Sequence, residues 1–338
     1  AGVTVMLHTT AVDVLMDGDR IDKVIVVGKE GIQAIQAPVY VDATGDGDVA
    51  YRAGAPFSFG ATAEEAEELA RLGYNVDHVQ GRRIESYPVG SVMPASLMFV
   101  IDGVEQDLAR RWINKWITME QVDATPEDFE KFPFQGVEGF APDDTGRLPL
   151  PQWRVLFTPM GRSGRFLVNM SRIKSIDGTS TKELAYAEAT GVRQVVGIIH
   201  ALRRWIPGFD NARLLYIAPQ VGIRETRRFH GLYTLTAEDA IKGRRFPDAI
   251  ARGSYMIDIH DPAGKESAIG RHIEADFYDI PYRCLVPKGV SNLLLSGRCV
   301  SSDHVAHSSL RIQGTAMLIG QAAGVAAVRA IDRGVPPA

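Results

Sequence analysis

Two segments at opposite ends of the chain restrict most what it can fold into. Near the start, Val39-Tyr40-Val41-Asp42 runs into Ala43-Thr44-Gly45-Asp46-Gly47-Asp48. Near the end, Asn292-Leu293-Leu294-Leu295 runs into Ser296-Gly297-Arg298, followed by Ile319-Gly320-Gln321-Ala322-Ala323-Gly324. Each begins as a short apolar strand and stops at a glycine turn. With no Cβ in the way, backbone at such a turn can approach a ligand closely.

A chain of 338 residues can bury a large core and is expected to form two lobes. Hydrophobic residues at 45% and charged residues at 23% match an ordinary globular protein. The net charge of −4 disfavours nucleic acid as a partner. The two cysteines, Cys284 and Cys299, give neither a disulfide framework nor metal-knuckle spacing, so a reduced, cytoplasmic setting is the default. The most apolar stretch, Gly314 to Ile331, is interrupted by Gln321 and Arg329, and reads as a helix packed on a sheet rather than a membrane span. Ala1-Gly2-Val3-Thr4-Val5 reads as a helix end, a glycine cap and the start of a strand. The expectation is a chain cut from a longer protein or the second half of a split enzyme.

Val3 to His8 is expected as a strand. Ala11–Met16, Ile21–Gly28 and Ile32–Ala37, separated by Asp17-Gly18-Asp19 and Lys29-Glu30-Gly31, predict an antiparallel meander. Thr62-Ala63-Glu64-Glu65 is a capping box opening a helix that Gly73 ends. Glu105 to Val122 is expected as a second helix with Trp112 and Trp116 on one face. Asp123 to Pro151, with five prolines, suggests a long surface excursion. Arg154–Pro159 and Arg165–Met170 read as strands around a Gly-Arg-Ser-Gly turn. A second capping box, Ser180 to Glu183, opens a helix reaching Trp205. Leu214–Ile217 and Leu293–Ser296 read as strands, with a short helix from Thr236 and a helix over Gly314–Arg329.

The string Val41 to Ala50, continuing through Ala53-Gly54-Ala55-Pro56, resembles a segment of the FAD-dependent oxidoreductases related to glutathione reductase, in the group grouped with xanthan-lyase-like dehydrogenases. The resemblance extends over Gly222–Arg228, Phe246–Gly253, Ile257–Pro262 and Ile280–Arg283, and is weakest over Asp123–Pro151. It implies an α/β fold with an α+β part: a three-layer FAD/NAD(P)-binding-type lobe, incomplete at its N-terminus, with an inserted α+β substrate lobe. Residues 1–56 and 285–338 would form the FAD-binding lobe and 57–284 the substrate lobe. The Gly-rich first βαβ unit of that family is missing from the pattern. A partner chain or N-terminal segment is therefore expected to complete the FAD site, with homo-oligomerisation a further expectation.

By the same resemblance, backbone at Ala11 or Val12 would contact adenine. Ala43, Thr44, Gly45 and Asp46 would lie by the pyrophosphate, and Gly297 and Arg298 by the pyrophosphate and ribityl chain. The helix opening at Gly314, Thr315 and Ala316 would point at the isoalloxazine ring, where free N–H groups and the positive dipole end favour negative charge. Close packing of small residues explains the same helix equally well.

A flavin accepts a hydride, so the protein must hold the substrate and manage one proton. His304 is the first choice for acid/base work, against the plainer reading of a loop histidine satisfied by backbone. Arg224, in the Arg224–Arg228 cluster, suits carboxylate recognition, against an internal ion-pair network. His260, with Asp258 and Asp261, offers a second polar wall, against a loop-ordering role. Arg311 would meet an anionic substrate or the cofactor phosphates, and Tyr282 is a weaker donor. His304-x-x-His307 has no third ligand, so no metal is expected. The leading reading is an FAD-dependent oxidoreductase moving a hydride between a small organic, anionic substrate and the flavin. The alternatives are a subunit that needs another chain to bind FAD and a non-catalytic fold remnant.

Overall fold

The computed structural model describes residues 2–71, 88–140, 146–262, 269–271 and 273–337. The chain packs as two compact units: residues 1–91, 225–259 and 268–338 form the first, and 92–224 with 260–267 the second. The expected lobes, 1–56 with 285–338 against 57–284, do not coincide with them, because 57–91 and 225–259 pack with the two ends.

The first unit opens with the antiparallel meander Thr10–Asp17, Arg20–Gly28 and Gly31–Gln36. Alternation in its middle strand buries Val24 and Val26, and Ile21, beyond the register shift opposite Leu15 and Met16, is buried as well. Residues 3–8 form no strand. Val3, Val5 and Leu7 are exposed, and no described strand pairs with them, so their β-branched pattern has no ladder to join. Beside the meander, Tyr40–Asp42 pairs in parallel with Leu293–Leu295, whose three leucines are completely buried. Asn292 joins the two sheets: its side-chain oxygen accepts from Ile21 N–H and its amide donates to Ile21 C=O, both at 2.9 Å.

The helix Gln313–Arg333 packs on both parallel strands and on the strand Ala249–Gly253, burying Thr315, Ile319, Ala323 and Ala330. By length and composition it is long and apolar enough to cross a membrane, but its contacts are those of a helix covering a sheet. The helix Ala63–Arg71 starts at the expected capping box, with Thr62 N–H donating to Glu65 and Glu65 N–H to Thr62 Oγ1; Gly73 lies outside the described residues. The short helix after Thr236, Ala237–Lys242, has a full capping box with Asp239.

The second unit is built on a four-stranded antiparallel sheet in the order Phe157–Pro159, Phe166–Val168, Phe99–Asp102, Arg213–Ile217. The helix Thr181–Trp205 contributes Val195, Ile198, Leu202 and Trp205 to its core. Ser180 caps this helix, but Glu183 turns to the backbone N–H of Asp177, so only half of the expected box forms. Gly191 and Gly197 occur where Leu97 and Phe140 press closest: an added Cβ would stand 2.9 and 2.6 Å from them.

Two expectations fail here for related reasons. Glu105–Val122 is not one helix: only Gln106–Ala109 is α-helical and Glu120–Val122 forms a single 3₁₀ turn. Asn114 takes a left-handed conformation, φ 61°, and Trp116 and Thr118 bridge to Arg154 and Arg147 instead. Nor is the proline-containing stretch simply a surface excursion. Phe129, Phe132, Phe140, Leu148 and Leu150 are buried, and Phe129 stacks on Trp205 with centroids 4.4 Å apart. Phe140→Ala is expected to cost about 3–5 kcal/mol of unfolding free energy by urea titration, while Lys131→Ala, on the exposed side of the same stretch, leaves the midpoint almost unchanged.

Candidate active site

The first glycine turn is built by Asp42, itself buried at the strand end. Its Oδ1 accepts from Thr44 N–H at 3.0 Å and Thr44 Oγ1 at 2.7 Å, and its Oδ2 accepts from Ala50 N–H at 2.9 Å. These bonds fold residues 43–47 into a tight loop leading to the helix Asp48–Arg52. Gly45, at φ 88°, would place a Cβ 2.7 Å from Arg298 Nη2. Gly47, at φ 66°, would place one 2.0 Å from the Phe229 ring. Neither position admits a side chain.

The second glycine turn brings Arg298 to the first. Its Nη2 donates to Asp46 Oδ1 at 3.0 Å, an oxygen that also accepts from Thr226 Oγ1 at 2.7 Å. Arg298 Nη1 is buried without a hydrogen-bond partner among the described residues. Arg227 closes the flank, donating to Asp46 C=O and to Asp48 while its guanidinium lies 4.1 Å from the centre of the Tyr51 ring. On the meander, Val12 C=O accepts from Arg52 Nε at 2.6 Å, and Ala11 is partly buried in the core next to it.

A separate buried network surrounds Arg228. All five of its N–H donors are used: Nε to Glu225, Nη1 to Glu65 and Ser302 C=O, Nη2 to Glu65 and Gly60 C=O, at 2.6–3.1 Å. His304 joins it twice, donating its N–H to Glu65 at 2.9 Å and placing Nδ1 2.7 Å from Glu225 Oε1. Burial alone would raise the Glu225 carboxyl, but His304 and Arg228 overcome it and hold the group at about 2. An ionised Glu225 accepts only, so His304 Nδ1 carries the proton in this bond. Burial likewise opposes the charge on Glu65, and the Arg228 bonds bring it below its ordinary value. Asp303, the N-cap of the helix His304–Leu310, is pushed up to about 6 by burial, against the pull of N–H bonds from Ala306 and Ala237.

His304 and His307 thus lie on a short buried helix rather than a loop. The sequence signal was present in Asp303, a favoured N-cap residue, but the helix has only seven residues. Asp42, Glu65 and Glu225 were not among the expected site residues, because nothing local shows where their carboxylates go. Of the Arg224–Arg228 cluster, Arg224 donates to Pro94 C=O within the second unit, and Arg227 and Arg228 belong to the networks above. His260 also falls in the second unit and is half-buried. Tyr282 donates to Pro337 C=O at 2.6 Å. Burial pushes the Cys284 thiol up to about 12 and that of Cys299 up as well, which disfavours thiolate chemistry. Among the described residues no group of three or more His, Cys, Asp or Glu is placed to hold a metal.

The paired strands end in glycine turns that an arginine bridges and a helix covers, on an α/β fold. A family profile described as FAD dependent oxidoreductase matches residues 1–338, and the chain belongs to that family. Among solved structures it is similar to CabE, an aromatic hydroxylase from angucycline biosynthesis, at 13% identity and a TM-score of 0.38, over 96% of this chain and 39% of that one. It is also similar to L-proline dehydrogenase from P. horikoshii, at 11% identity and a TM-score of 0.29, over 97% of this chain and 50% of that one. The chain thus spans half or less of the length of both structures. No curated protein matches it in sequence.

The residues present fit the cofactor that the family name carries. The Gly45 turn admits the Arg298 guanidinium against its backbone, Arg298 Nη1 is a buried donor with no acceptor among the described residues, and Ile312 supplies no side-chain cap to the Gln313–Arg333 helix.

Two outcomes follow from the buried network. Arg228→Ala strands Glu65 and Glu225 and is expected to cost about 3–5 kcal/mol in denaturant titration. Glu225, depressed in the fold, stabilises it fully above pH 4.5 and loses that contribution as pH falls toward 2. Asp303, raised in the fold, acts with the opposite sign: its contribution is full below 3.8 and lost as pH rises through about 6. Stability measured against pH should therefore flatten on the acid side in Glu225→Gln and between pH 4 and 6 in Asp303→Asn.

Proposed function

We propose that this chain forms part of an FAD-dependent oxidoreductase that moves a hydride between a small organic substrate and the flavin. The observation that carries this reading is the cradle of Gly45, Asp46 and Arg298, whose buried Nη1 has no hydrogen-bond partner among the described residues. When bound, FAD supplies the acceptor for two electrons and a proton.

The chain's own residues would do the rest. Thr44, Gly45 and Arg298 would hold the phosphates, with Asp42 fixing the turn and Asp46 fixing Arg298. Gly314, Thr315 and Ala316 would present the positive end of their helix to the ring. His304 would take or give the proton, and Glu225 would orient it by holding Nδ1–H, leaving Nε2 as the exchanging nitrogen. Arg224 and His260 are proposed to belong to the substrate side.

A further segment or partner chain is proposed to complete the cofactor site. Supporting this, the helix Gln313–Arg333 exposes Met317, Val325, Val328 and Ile331, and the parallel sheet has two strands among the described residues.

The decisive test is an absorption spectrum between about 350 and 500 nm of the purified chain with added FAD, where oxidised flavin absorbs. Bands that co-elute with protein support the reading, and Arg298→Ala is expected to weaken FAD binding about tenfold, roughly 1.4 kcal/mol, by fluorescence quenching. A protein that stays colourless with FAD, alone and with its completing chain, would sink it.

A further inference from the structure

The helix Gln313–Arg333 ends in a turn that folds the chain back beside it. Gly334, at φ 63°, donates its N–H to Ile331 C=O, and Val335 N–H donates to Ala330 C=O, both at 3.1 Å. This paired arrangement satisfies two of the last carbonyls and reverses the chain. Pro336 and Pro337 do not extend a helix, and Tyr282 Oη pins the tail by donating to Pro337 C=O at 2.6 Å. Between this tail, the helix and Ile250 on the strand Ala249–Gly253 lies a cavity of about 640 Å³. That volume is within the range of small-molecule sites.

The helix face lining the cavity carries Leu318, Ala322, Val325 and Arg329 at i, i+4, i+7 and i+11, one continuous stripe. Met317, Val328 and Ile331 lie about a third of a turn away around the axis. The cavity is therefore distinct from the face that those three residues expose. From Leu318 to Arg333 the lining runs about 22 Å along the helix, so the space is long and narrow. Apart from Tyr282, its apolar wall is aliphatic.

Two arginines at one end give the cavity its sign. Arg329 and Arg333 are exposed, and no hydrogen bond or ion pair joins either guanidinium to another described residue. Asp332, the nearest carboxylate in sequence, pairs with neither. Arg311, by contrast, is buried and paired with Asp258 at 3.3 Å. Arg333 occupies the last turn, where the negative end of the helix dipole favours a cation. Arg329 stands one turn earlier, on the cavity stripe, and the dipole does not account for it. A long apolar groove ending in two uncommitted guanidiniums matches an aliphatic chain that ends in a carboxylate.

We propose that this cavity binds a medium-chain aliphatic carboxylate, with its chain along Leu318, Ala322 and Val325 and its carboxylate held by Arg329 and Arg333. None of the lining residues belongs to the glycine turns or to the Arg228 network, so the proposal stands independently of the oxidoreductase reading.

The test is calorimetric titration of the intact chain with decanoate below its micelle concentration, compared with hexanoate, acetate and decanol. The variants are Arg329→Gln combined with Arg333→Gln, and Val325→Glu, which sets a carboxylate on the wall. All three positions are exposed, so the variants are expected to fold. The expected result is saturable decanoate binding, at least about tenfold tighter than hexanoate, with no saturable heat from acetate. Both variants should weaken decanoate at least about fivefold. No decanoate binding, or equal affinity for decanol and decanoate, overturns the proposal. An unchanged decanoate affinity in either variant places the ligand elsewhere and also overturns it. Displacement of decanoate by FAD would assign the cavity to the cofactor, with the same consequence.

Discussion

The first unit depends on one guanidinium. Arg228 is only 2% exposed, and its five donors reach Gly60, Glu65, Glu225 and Ser302, which come from three separate stretches of chain. Two carboxylates beside one buried arginine would leave a net negative charge in a low-dielectric interior. His304, donating to both Glu65 and Glu225, shares that charge. The network thus joins the start of the helix Ala63–Arg71, the strand Arg227–Phe229 and the start of the helix His304–Leu310. The geometry of the proposed proton carrier is fixed by the same bonds that hold the unit together.

The glycine turns follow a related logic, with carboxylates acting as local scaffolds. Asp42 spends both oxygens on the loop after its strand, and Asp46 spends one oxygen on Thr226 and Arg298. Gly45 and Gly47 are fixed by different neighbours, Arg298 in one case and Phe229 in the other. A change at either glycine would therefore act at a different place: the first on the Arg298 contact, the second on the core around Phe229.

Elements whose signals are local were legible. The meander was set by alternation and turn residues, and the helices after Thr62, Ser180 and Thr236 by their caps. Glu105–Val122 misled because its composition suits a helix, while Asn114 and the bridges to Arg147 and Arg154 favour another path. The stretch 123–151 misled in the same way: prolines and acidic residues mark turns, but they do not show that phenylalanines between them reach Trp205. The turn residues Thr44, Gly45, Asp46 and Arg298 could be named from resemblance. The partners of His304 could not, because Glu225 and Glu65 are distant in sequence and ordinary in local context.

The sequence alone determined the strand-and-turn segments, the capped helices and the family, since these rest on neighbouring residues and their spacing. The tertiary structure decided which carboxylate meets which cation, that His304 stands at a buried helix start, and that Arg298 keeps a donor unmet among the described residues. Those outcomes depend on long-range burial, where each charged group must find its partner among whichever segments the core brings beside it.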